Sequence, residues 1–171
     1  MALPRTITFM KTTFLSLILL LLTAVGYCQS TGFVALDNKL VWENVFVSPV
    51  ANVPAIVAKH GKLKIISTDG KLYKGKATGV MYRCSGCSAV FKYGYNFDFE
   101  VEVANDKYRV TISNVTFNNS RNGETKTPAE KPFLQTGKIK QTADVVTDIT
   151  CLDTFFNKIF SGNALKGGNK I

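Results

Sequence analysis

Few residues in this chain could do chemistry. The stretch YRCSGCSAVF (residues 82–91) holds Cys84 and Cys87 in a C-x-x-C spacing, and the other cysteines are Cys28 and Cys151. A reactive pair of this kind needs its first thiol at a helix N-terminus, where the dipole lowers the thiol pKa. Here the flanks KATGVMYR and AVFKYGYNFDF have strand composition and Ser85-Gly86 reads as a turn, so redox catalysis is the minor alternative. Zinc takes four ligands. Cys84, Cys87, Cys151 and His60 could supply them, but no second paired spacing exists and no metal site is expected. A two-residue turn would set Cys84 and Cys87 opposite each other as a hydrogen-bonded pair, with Cα atoms about 5.5 Å apart. That lies within disulfide range. A Cys84–Cys87 disulfide is therefore expected, of small stabilising effect because so short a loop hardly restrains the unfolded chain. A bridge from Cys151 to either is the alternative, and would tie the last helix to the sheet.

Other catalytic constellations are thin. His60 is the one histidine, and its AKHGK setting offers no carboxylate to orient it, so a capping or solvent-facing role is expected. Asp98, Glu100 and Glu102 alternate along one strand and share a face, as a carboxylate pair for glycoside hydrolysis would. Arg109 and neighbouring lysines give them ordinary cross-strand partners, so an ion-pair face is expected instead. No glycine loop suits a phosphate. The chain reads as non-catalytic and without a cofactor. Lys62, Lys64, Lys71, Lys74 and Lys76 crowd two neighbouring strands with Asp69 between them. Lys62 and Lys64 share one face, as do Lys74 and Lys76, making a basic strip that could take an anionic envelope component. The same charges also discourage edge-to-edge pairing.

The N-terminus places the protein. Met10 to Cys28 carries a lysine, an apolar core from Phe14 to Leu22 and then small or neutral residues, the layout of a secretory signal peptide. Residues 1–28 are expected to be removed between Cys28 and Gln29, with Met10 an alternative start to Met1. A lipoprotein reading would lipidate Cys28, but bulky Tyr27 precedes it. Loss of Arg5 and Lys11, and of no acid, lowers the formal charge from +9 to +7. A basic exported chain could meet anionic polysaccharide, lipid headgroups or acidic proteins; export argues against nucleic acid. No membrane span is expected in the mature chain.

The elements that must position these residues form one α+β domain over 39–161. KLVWENVFV (39–47) reads as a strand after a polar lead-in. Ser48-Pro49 reads as a helix start, with Pro54 limiting the helix and Lys59, His60 and Gly61 ending it. KLKIIST and KLYKGKATGVMYR are strands around an Asp69-Gly70 turn. In FDFEVEVANDKYRVTISNVTF (97–117), a turn at Asn105-Asp106 pairs Val103 with Tyr108, Val101 with Val110 and Phe99 with Ile112. The other face then pairs Glu102 with Arg109 and Glu100 with Thr111, and a one-residue slip would spoil both faces. Residues 118–137 are polar and Pro/Gly-punctuated, a long loop whose composition favours disorder. Val145, Ile149, Leu152, Phe156 and Ile159 then recur at helical spacing, with Gly162 as terminator. That stripe needs an apolar surface, which the Phe97/Phe99/Val101 face supplies. Residues 162–171 read as a flexible tail.

LVWENVF (40–46) and FDFEVEVANDKYRVTISNVTF (97–117) resemble a family of exported Gram-negative proteins of unknown function with a TATA-binding-protein-like (TBP-like) fold. The likeness spans about 40–160 and rests on a tryptophan-bearing strand followed by a Tyr-Arg strand. The short first helix and the C-x-x-C segment depart from that pattern. The resemblance implies helices on one face of an antiparallel sheet and no known catalytic residues. Fold does not fix function, so the fold's name carries no implication of DNA binding.

Overall fold

The computed structural model describes residues 31–48 and 51–161. The expected signal peptide with its Cys28/Gln29 cleavage pair, Pro49, Gly162 and the 162–171 tail lie outside the described residues.

The strands are β1 (Phe33–Leu36), β2 (Lys39–Val47), β3 (Leu63–Asp69), β4 (Leu72–Val80), β5 (Tyr95–Val103), β6 (Lys107–Asn118) and β7 (Lys126–Pro128), with a small β8–β9 ribbon (Leu134–Gln135 and Lys138–Ile139). The helices are α1 (Val53–Ala58), α2 (Glu130–Phe133) and α3 (Ala143–Phe160), and a 3-10 turn covers Ala89–Phe91. The main sheet runs β1-β2-β6-β5-β4-β3, and β7 pairs with β6 beyond the end of β2. Every described pairing is antiparallel. The β5–β6 hairpin takes the expected register, Val103 with Tyr108, Glu102 with Arg109, Val101 with Val110, Glu100 with Thr111 and Phe99 with Ile112.

One face of the sheet is apolar and covered. Trp42, Phe97, Phe99, Val101, Val110 and Ile112 are all buried. α3 lies on this face and turns inward the stripe Val145, Ile149, Leu152, Phe156 and Ile159. Phe156 packs edge-on to Trp42 and Phe97, with ring centroids 5.4 and 5.0 Å away, and Phe160 packs on Phe99 at 5.7 Å. α1 adds Val53 and Val57 to the same core. The α+β expectation of helices on one sheet face holds.

Four local readings change. The polar lead-in contains β1, joined to β2 by Asp37-Asn38, both at positive φ as a two-residue hairpin turn demands. α1 begins at Asn52, whose side chain caps the Ala55 amide, so Pro54 opens the helix within its first turn rather than cutting it short. Segment 118–137 is ordered: β7 pairs with β6, and Ala129 and Phe133 are fully buried, Phe133 edge-on to Phe117. Finally, β4 stops at Val80, so the C-x-x-C segment is not the tip of a continuous hairpin.

A partly buried polar clamp fixes the C-terminal half of α3. Asp153 Oδ1 accepts from Trp42 Nε1 and from the Gly32 amide, each at 2.8 Å. Its second oxygen accepts from Asn157 Nδ2, and Asn157 in turn accepts from Asn44. Gly32 has no substitute here, because a Cβ would lie 2.7 Å from both the indole nitrogen and the Glu43 carbonyl. Asp153→Ala would strand the buried indole N–H and the Gly32 amide, at a cost of about 2–4 kcal/mol. Urea unfolding should show a lower midpoint with an unchanged slope; an unchanged midpoint would remove the clamp from the account.

Candidate functional site

Residues 81–94 leave the sheet between β4 and β5 and bring the C-x-x-C pair onto α3. Ser85-Gly86 does form a tight turn: the Cys87 amide donates to the Cys84 carbonyl at 3.4 Å, and Gly86 sits at φ +82°. That positive φ suits glycine at the third position of a type II turn. The expected Cys84–Cys87 disulfide is corrected. Cys84 is bonded to Cys151 of α3, with Cα atoms 5.8 Å apart, and Cys87 is a free thiol. The cause is the docking of the loop on the helix. Asp148, buried one turn before Cys151, accepts from the Ser88 amide at 2.8 Å and from Ser88 Oγ at 2.5 Å. With Ser88 so anchored, Cys84 is delivered to Cys151.

The Cys87 sulfur still lies within 4.8 Å of the other two. Partial burial pushes its thiol pKa up, aided by the charge of Asp148 and opposed by the Cys84 backbone and Arg83. The Tyr95 hydroxyl, buried with no hydrogen-bond partner among the described residues, is also held up in pKa, first by burial and then by Tyr82 and Cys87. Three sulfurs this close could hold a soft metal once reduced, but the disulfide commits two of them. His60 stands at the end of α1 outside this cluster, its pKa lowered by burial and then by Lys59.

The solvent-facing side of the sheet carries the charges. Lys74 meets Glu100 at 2.9 Å and Lys76 meets Asp98 at 3.8 Å. Arg109 meets Glu102 at 2.5 Å and Glu43 at 4.0 Å, while Asn114 donates to Asp98. The three acids thus have the cross-strand partners expected of an ion-pair face. The lysine strip divides: Lys74 belongs with Glu100, whereas Lys64 stands directly opposite Lys76. Lys62, Lys64 and Lys76 border a shallow hollow of about 520 Å³ together with Ile66 and Thr78.

A second hollow, about 570 Å³, lies under the 118–137 segment among Val90, Tyr93, Phe117, Thr127 and Pro132. Its amides are already used, since Asn118 donates to the Tyr93 carbonyl and accepts from Asn96, and Asn119 accepts from Thr127. Nothing in the sequence marked it beyond the length of the loop.

These features define a disulfide-tethered α+β domain with a helix-covered sheet face and a charged open face. No family model and no curated protein matches the sequence. The fold is that of a DUF4468 family protein from Bacteroides ovatus, with a TM-score of 0.50 and 15% identity over 81% of this chain and 94% of that one. A TBP-like protein from Parabacteroides distasonis aligns at TM-score 0.48 and 10% identity, over 74% of this chain and 94% of that one. The resemblance drawn from the strand residues stands at the level of the fold.

Sequence separation between Cys84 and Cys151 is 67, so the bridge should stabilise by about 4 kcal/mol in the chain-entropy account. Cys151→Ser should lower the thermal midpoint markedly, whereas Cys87→Ser should leave it nearly unchanged. Equal effects would mean that the two cysteines share the structural load.

Proposed function

We propose that this chain is an exported, non-catalytic binding module that takes an anionic envelope component at the β3–β4 edge of its open sheet face. The observation that carries the reading is the hollow bordered by Lys62, Lys64 and Lys76. Lys62 and Lys64 have no ion-pair partner among the described residues, whereas Lys74, Lys76 and Arg109 each face an acid. Lys64 and Lys76, set opposite each other, repel; Asp98, 3.8 Å from Lys76, offsets this in part, and a bound anion would offset it further. Exposed Ile66 and the small Gly61 leave an approachable floor.

Export is supported by the disulfide, since such bonds persist in oxidising compartments. A non-catalytic role is supported by the pairing of Asp98, Glu100 and Glu102 with basic partners, which occupies the three carboxylates of the open strand face. No described helix is long and apolar enough to cross a membrane.

The test is retention on heparin and on phosphatidylglycerol-containing vesicles, across a salt series. Each lysine near an anionic surface contributes about 1 kcal/mol, so Lys62→Ala/Lys64→Ala should weaken binding roughly thirtyfold. Lys74→Ala should change it far less. No retention of the native chain on either support at low salt would overturn the reading.

A further inference from the structure

We propose that Cys84, Cys87 and Cys151 form an internal thiol–disulfide exchange site, in which Cys87 displaces Cys151 from Cys84 and so releases the covalent tether of α3. The proposal stands on geometry. The three sulfurs converge within 4.8 Å, two bonded to each other and the third a free thiol. The Cys84-to-Cys87 turn is closed by its own backbone hydrogen bond. A turn of this kind holds its end Cα atoms within about 7 Å, overlapping the separation a disulfide accepts. Cys87 can therefore reach Cys84 without unfolding the loop.

The step balances without an outside oxidant. The Cys87 thiolate attacks Cys84 Sγ, the Cys84–Cys151 bond breaks, and Cys151 leaves as a thiolate. The proton lost by Cys87 is the one Cys151 gains, so one disulfide and one thiol are present before and after. Asp148 holds the loop in place for the transfer: it pins Ser88, the neighbour of Cys87, and lies three residues before Cys151 on the same helix face. The bridged form ties α3 across a loop of 67 residues; the exchanged form closes only the short turn and leaves α3 held by its packing and hydrogen bonds, without a covalent tether.

The exchange has two independent readouts on the full chain. In native buffer with a phosphine reductant, an internal thiol acts at high effective concentration, so Cys87→Ser should slow loss of the Cys84–Cys151 bond by roughly tenfold or more. Equal rates for the native chain and Cys87→Ser would overturn the proposal. In air-oxidised Cys151→Ser, peptide mapping after alkylation should find Cys84 linked to Cys87 and unmodified until reduced. Recovery of both as alkylated thiols would overturn it as well.

Discussion

The seating of α3 on the sheet is the constraint on which the rest depends. The inner face presents aromatic side chains from β2, β5 and β6, which no hairpin can shield alone. Phe156 enters between Trp42, Phe97 and Phe33, and the Tyr108 hydroxyl donates to the Phe160 carbonyl at the far end of the helix. Aromatic pairs in such edge-on and tilted arrangements add to the area they bury. With the helix axis so fixed, Asp153 falls beside the Trp42 indole, while Asp148 and Cys151 fall beside the 81–94 loop.

Stabilisation is therefore concentrated on one side of the sheet. The open face carries many charges, yet its ion pairs are about half exposed, and water and salt screen them. Their consequence is spatial. Glu100, Asp98 and Glu102 absorb the cations of the central strands, and positive charge without a counterpart collects at the edge strand. A charged edge also resists pairing with another sheet.

Much of this was legible residue by residue. The β5–β6 register was readable because two faces, one apolar and one charged, had to agree. The α3 stripe was readable because Val145, Ile149, Leu152, Phe156 and Ile159 repeat at the helical period. β1 has a weak signal although Asp37-Asn38 is a recognisable hairpin turn, since its four residues carry little alternation. Segment 118–137 reads as disordered by composition because only Ala129 and Phe133 are buried deeply, and their burial depends on Phe117 and the end of β6. The lysine hollow was half legible: strand alternation grouped Lys62 with Lys64, but the separation of Lys74 from it came from the β4–β5 register.

From local pattern alone follow the α+β class, the hairpin register, the amphipathic last helix and the turn at Ser85-Gly86, because each rests on side-chain periodicity or backbone conformation within a short span. Which cysteine receives Cys84 does not follow from such a span. Spacing favours Cys87, three residues away, and the opposite outcome arises because aromatic packing carries Cys151 to the loop while Asp148 pins Ser88 beside it. A contact between residues 67 apart is decided by where the helix docks, and that is a property of the assembled core.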